Sequence, residues 1–336
     1  MATKTQALIF LFSLFTISCS FTKPCHADCV SKEGIAVFWG QRSESEELTL
    51  REACATGNYK IILLDYLIVY EDGSDPALNL ASHCGWAEKP CTILESQIKY
   101  CQSLGIKVII SIGEDRSSPA TRTRTPLRSE EDAKKLAAYL WNNYLSGQSG
   151  PLGAVALDGV NIFEVSQGKI LHWDEILEAI NDYSTTGRKI YLGVSPQCVD
   201  VNLGAAIRTN LVDYAFVEFY YDPGCSYDST NKDPKNLLES WNKWISKEGL
   251  TDKQVFLGIP ASKEVTGGSG FIEPEALTKD VLPVVKQASN YGGVLLFDRA
   301  ADISSGYSDA TKNYVPTDCT CVCDDSFPFY NQALVL

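Results

Sequence analysis

Eight short runs of nearly unbroken Val, Ile, Leu and Phe punctuate this chain: Ile35–Trp39, Ile61–Tyr66, Lys107–Ser111, Val155–Phe163, Lys189–Val194, Tyr214–Phe219, Gln254–Ile259 and Gly293–Phe297. Runs that are apolar at every position, rather than at every second one, predict parallel strands covered on both faces. Between them lie segments of helical periodicity, at Ile93–Leu104, Glu130–Leu145, Trp173–Tyr183, Pro234–Lys247 and Pro274–Ser289. Ser129 ahead of Glu130, Glu131 and Asp132 supplies a cap and an acidic first turn, and Pro274 stands at a helix start. Gly105 and Gly292 are expected to close helices just before a strand. Eight strands with helical crossovers in about 280 residues predict an α/β fold, a (β/α)8 or TIM barrel. The alternative, a doubly wound open sheet, wants a glycine-rich phosphate turn after the first strand, and Trp39-Gly40-Gln41-Arg42 is not one.

The start of the chain has a different pattern. Lys4 precedes an apolar run from Ala7 to Cys19, followed by small and polar residues. That is the pattern of a secretory signal peptide, and it is too short for a membrane span. Cleavage after Ser20 or Ala27 fits; Ala27 is preferred because it leaves ten of the twelve cysteines, an even number suited to an oxidising compartment. The expected organisation is a signal peptide over residues 1–27, one barrel over 28–312 and a Cys-rich extension over 313–336. A hydrophobic content of 45% is enough for one large core. A formal charge of −13 argues against nucleic acid or an anionic membrane as partner. The mature chain is expected to be soluble, monomeric and secreted, either extracellular or vacuolar.

In such a barrel the working residues sit where the strands end, at the C-terminal face. This places Asp65 and Tyr66, Ser111 to Glu114, Asn161 to Val165, Gln197, Glu218, Tyr220 and Phe297 around one mouth. Along Leu157-Asp158-Gly159-Val160-Asn161-Ile162-Phe163-Glu164-Val165, alternation sends 161, 163 and 165 to one face and 160, 162 and 164 to the other. The first face carries no carboxylate. Glu218 and Tyr220 share a parity and should both face the mouth. His26, His83 and His172 assemble no site, no spacing suggests zinc, and no cofactor is expected. Trp86, Trp241 and Trp244 are read as packing residues rather than a sugar platform.

At these strand ends the chain resembles the plant class III chitinases of glycoside hydrolase family 18 and their chitinase-like relatives. The matching stretches include Gly34-Ile-Ala-Val-Phe-Trp-Gly-Gln41, Gly105-Ile-Lys-Val-Ile-Ile-Ser-Ile-Gly113, Leu157-Asp-Gly-Val160, Ser195-Pro-Gln-Cys198, Phe256-Leu-Gly-Ile-Pro260 and Tyr291-Gly-Gly-Val294. The resemblance implies a strand of the form Asp-Gly-x-Asp-x-Asp-x-Glu, in which the glutamate protonates the leaving oxygen and the last aspartate orients the substrate's N-acetyl group. That substrate-assisted route departs from the two-carboxylate scheme. Carried over, it gives Asp158 at the first position, Asn161 at the second, Phe163 in place of the orienting aspartate and Val165 in place of the acid. Tyr220 matches the family tyrosine, Phe297 stands where a tryptophan floor would be, and Glu114 occupies a glycine position. The resemblance also implies the pairs Cys54–Cys101, Cys84–Cys91 and Cys198–Cys225, leaving Cys29, Cys319, Cys321 and Cys323 open.

A valine cannot donate a proton, and a positioned acid contributes on the order of 10²–10⁴ in rate. The expectation is therefore a barrel without hydrolase activity that binds a chitin-type oligosaccharide or inhibits a foreign glycosidase such as a xylanase. Two alternatives remain: a storage protein without ligand, and an active endochitinase in which a strand bulge turns Glu164 inward as the acid. Glu218, Tyr220, Phe297, Gln197 and Asp65 are the expected sugar contacts.

Overall fold

All eight apolar runs are strands: β1 (Gly34–Trp39), β2 (Tyr59–Val69), β3 (Lys107–Glu114), β4 (Gly159–Phe163), β5 (Tyr191–Ser195), β6 (Tyr214–Glu218), β7 (Gln254–Pro260) and β8 (Tyr291–Phe297). The computed structural model describes residues 34–69, 75–85, 89–114, 127, 129–163, 172–184, 187–199 and 203–316, all within the compact unit Ser31–Thr317. Each strand pairs in parallel with its successor, and β1 pairs with both β8 and β2, so the ring closes. A two-residue strand, Ala77–Leu78, adds antiparallel to the end of β2. The (β/α)8 barrel is therefore observed.

Helices cover the outside. Ser129 Oγ accepts the Asp132 amide at 3.2 Å and starts the helix Glu130–Leu140, and Pro274 opens the helical run 274–285. Three short helices, Leu50–Ala55, Gly204–Arg208 and Arg299–Ser305, are too brief to give a periodic signal in the sequence. Gly105 has φ +75° and ends the helix before β3 as expected. Gly292 does not close a helix. It is the second residue of β8, where a Cβ would come within 2.6 Å of the Phe256 ring, so glycine is needed there for close approach.

The lumen of the barrel is filled. Ala36, Phe38, Ile61, Leu63, Ile109, Tyr214, Phe216, Phe256 and Leu295 form one buried cluster, with Tyr191 and Phe297 packed against it. This cluster fixes which parity points inward on each strand. Burial holds the Tyr214 phenol well above its ordinary value, so it stays neutral among these rings. Above them Asn161 is fully buried, its Nδ2 donating to Ser111 Oγ at 3.2 Å and Ser195 Oγ at 2.9 Å. The position that the family motif fills with an aspartate is thus a neutral amide tied to strands on either side.

The outer core takes Trp241 and Trp244, 1% and 5% exposed, which makes them packing residues; Trp86 lies outside the described residues. The three disulfides join Cys54 to Cys101, Cys84 to Cys91 and Cys198 to Cys225. The signal peptide, most of the extension, and Cys29, Cys319, Cys321 and Cys323 lie outside the described residues. Among the described residues no helix is long and apolar enough to cross a membrane.

Two stability predictions follow from this packing. Asn161→Ala strands two buried serine hydroxyls and should cost about 1–3 kcal/mol in urea unfolding. Removing the Cys54–Cys101 bridge by a double Cys→Ala change should cost about 2–4 kcal/mol; an unchanged midpoint in either variant would contradict the assigned role.

Candidate active site

The mouth is built where the inward parity of the lumen runs out at the strand ends. Phe163 is the last residue of β4 and points inward, 4% exposed, edge-on to Tyr66 with ring centroids 5.1 Å apart. Gly113 of β3 makes room for it: a Cβ there would sit 2.8 Å from the Phe163 ring. The register of β4 with β5 is unbroken from Gly159↔Tyr191 to Phe163↔Ser195, so no slip occurs through Phe163. A bulge does occur at the mouth, but on β2, between Leu64 and Leu67, where Asp65 and Tyr66 are joined by a cis peptide bond. Tyr66, expected at the mouth together with Phe163, meets its ring there.

Across the mouth, Tyr220 is 2% exposed and stacks on Phe297, with centroids 5.3 Å apart and planes 17° from parallel. Phe297 in turn meets Phe38 edge-on at 6.1 Å. Glu218 ends β6 on the inward parity of Tyr214 and Phe216 and is 8% exposed. Its backbone is held by two bonds to the neighbouring strand end, Cys198 N to Glu218 O at 3.0 Å and Glu218 N to Pro196 O at 2.9 Å. Gln197 lies opposite it in an isolated parallel bridge and is half-buried, as is Asp65. Phe163, Glu218, Tyr220, Phe297, Gln197 and Asp65, expected from the sequence at the strand ends, lie there; Phe163, Glu218 and Tyr220 are buried, and Phe297, Gln197 and Asp65 are half-buried.

Asp158 does not belong there. It precedes β4, and its carboxylate accepts Val108 N at 2.8 Å and Gln102 Nε2 at 3.0 Å, with Arg188 Nη1 at 3.9 Å. Those partners sit at the opposite end of the barrel, where Asp158 ties the start of β3 to the approach of β4. Glu164 and Val165 lie outside the described residues, as does the side chain of Glu114.

Two further contacts leave no local pattern along the chain. Asp298 caps the helix Arg299–Ser305 through Ala301 N at 3.0 Å and receives Arg42 Nε at 3.1 Å, pinning the end of β1 to the end of β8. His83 and Glu47 are both buried and paired at 2.9 Å, with the His83 ring 4.1 Å from Trp39. Among the described residues no group of His, Cys, Asp and Glu is arranged to hold a metal. The strand ends thus bring together a packed set of aromatic rings, of which Phe297 is half-buried and Phe163 and Tyr220 are buried, with the Glu218 carboxylate on the same inward parity.

No family model matches the chain. An acidic endochitinase of Arabidopsis thaliana is 42% identical over 304 residues, covering 89% of this chain and 95% of the relative. The tamarind chitinase-like lectin is 40% identical with a TM-score of 0.72, covering 83% of this chain and 99% of the lectin. A xylanase and α-amylase inhibitor from Scadoxus multiflorus is 33% identical with a TM-score of 0.72, covering 83% of this chain and 97% of the inhibitor. These likenesses correct one expectation from the sequence. The losses at Phe163 and Val165 predicted a barrel without hydrolase activity, whereas relatives alike over nearly their whole length are named endochitinases and favour the enzyme. The chain belongs to the plant class III chitinase-like proteins of glycoside hydrolase family 18, the family of the acidic endochitinases.

Proposed function

We propose that this protein binds and cleaves chitin-type oligosaccharides, β-1,4-linked polymers of N-acetylglucosamine, at the C-terminal mouth of its barrel. The observation that carries the reading is Glu218, a carboxylate at a strand end, 8% exposed and on the inward parity, two residues before the Tyr220 ring that stacks on Phe297. A sugar ring lying over the half-buried Phe297, which the buried Tyr220 ring backs, offers it its apolar face and leaves its hydroxyls to Gln197 and Asp65. In the substrate-assisted route the acetamido oxygen bonds to the anomeric carbon as the glycosidic bond breaks. The leaving oxygen takes a proton from a carboxyl group, and a water molecule later opens the cyclic intermediate and returns the proton.

Glu218 is assigned the proton because it stands inside the barrel. The register of β4 with β5 is unbroken through Phe163, and by alternation along the sequence position 164 has the opposite parity to Phe163, which makes Glu164 the weaker candidate. Phe163 replaces the orienting aspartate with an apolar wall, so the acetamido group would be held by shape rather than by a hydrogen bond. The three disulfides suit a chain that passes through the secretory pathway.

A second reading, retention of the oligosaccharide as a lectin, is favoured by the 40% identity to the tamarind protein and uses the same rings. The likeness to the Scadoxus inhibitor supports a foreign glycosidase as a further partner.

The test is hydrolysis of a fluorogenic N-acetylchitooligosaccharide, run beside a calorimetric titration. Glu218→Gln should lower turnover by on the order of 10²–10⁴ while leaving binding nearly intact. Phe297→Ala should weaken binding roughly three- to tenfold. Loss of turnover in Glu164→Gln with full activity in Glu218→Gln would move the acid to Glu164. Binding without turnover in the wild type would leave the lectin reading.

A further inference from the structure

Glu47 is fully buried, and one of its carboxylate oxygens, Oε1, has no hydrogen-bond partner among the described residues. Burying a carboxylate this way costs free energy, and an apolar side chain of similar volume would fill the space more favourably. The other oxygen, Oε2, serves two groups. It accepts Gly40 N at 2.8 Å and pairs with His83 Nε2 at 2.9 Å. His83 is itself buried, lies against the Trp39 ring, and is followed by Cys84, whose bridge to Cys91 restrains the segment. The pair is thus anchored from behind, and what it holds in front is the amide of the residue that leaves β1.

From Gly40 the contacts run on to the mouth. Gly40 has φ +120° and lies so near β2 that a Cβ would come within 3.0 Å of Asp65 O. Its neighbour Gln41 donates Nε2 to Asp65 O at 2.5 Å and to Asn79 O at 3.1 Å. The register of β2 with β3 skips from Leu64 to Leu67, passing over Asp65 and Tyr66. Gln41 and Asn79 supply contacts there instead: Tyr66 N donates to Asn79 O and Asn79 N to Tyr66 O, both at 3.0 Å. A chain of printed contacts therefore joins His83, Glu47, Gly40, Gln41 and the backbone of Asp65.

We propose that Glu47 and His83 are positioning residues: through Gly40 and Gln41 they fix the backbone of Asp65, and so set its carboxylate where it meets the sugar. This rests on the saccharide reading of the mouth. It explains why a costly buried carboxylate occupies a place that an apolar residue could fill. In the ring of eight, β2 and β6 stand opposite each other, so Glu218 lies beyond the reach of the pair. Loosening the pair should remove binding that ground state and transition state share, which raises KM and leaves kcat alone.

The experiment compares wild type, Glu47→Gln, and a double change of Glu47→Met with His83→Phe. Glutamine keeps an oxygen for Gly40 N. The double change fills the same space, keeps a ring against Trp39 and leaves no buried charge, so it should melt close to wild type. Its affinity for N-acetylchitotetraose should fall roughly three- to tenfold and KM for the fluorogenic substrate rise by the same factor, with kcat within about twofold. Glu47→Gln should recover most of the affinity. A double variant that melts lower yet binds like wild type makes the pair purely structural and overturns the proposal, as does a fall in kcat at unchanged KM. Hydrogen exchange of the wild type reads the clamp without sugar or substitution: the Gly40 amide should exchange as slowly as those of β1. Fast exchange at Gly40 overturns the positioning role and leaves the saccharide reading standing. A protected Gly40 in a wild type that binds no sugar overturns the saccharide reading, and with it the role assigned to the pair.

Discussion

Closure of the strand ring is the constraint on which the rest of this molecule depends. Once β1 pairs with both β2 and β8, alternation assigns every strand residue to the lumen or to the helices, and the lumen has to be filled by side chains. Phe38, Tyr214, Phe216 and Phe256 fill its lower part, and Asn161 binds Ser111 and Ser195 above them. The mouth is what remains of the same alternation at the strand ends. Phe163, Glu218 and Phe297 face it for the same reason that Phe38 and Phe216 face the core, so mouth and lumen share one geometry.

The fold was readable because its signal is redundant. Eight runs of buried apolar residues fix eight strands, and Ser129 and Pro274 mark helix starts by local chemistry alone. The short helices such as Gly204–Arg208 escaped because five residues cannot establish a period. Gly292 misled because a glycine before an apolar run usually ends a helix, whereas here it admits the Phe256 ring. Of the site, parity gave Glu218, Tyr220 and Phe297. The Arg42–Asp298 contact joins residues 256 apart in the chain and leaves no local trace.

Function was the least legible part. A motif read position by position shows what Phe163 and Val165 cannot do, and it says nothing of a carboxylate arriving from another strand. Glu218 supplies one from β6, beside the Tyr220–Phe297 stack. A barrel of this kind can change which strand carries its chemistry without altering its frame, because all eight strands end at the same opening. The endochitinase relatives, the lectin and the inhibitor share that frame at 33–42% identity, so the frame alone does not choose between their tasks.

The most direct measurement is the chain length of N-acetylchitohexaose after incubation with the wild-type protein, followed by mass spectrometry. The account predicts progressive conversion to shorter N-acetylglucosamine oligomers. A hexamer that stays intact at high protein concentration would contradict it.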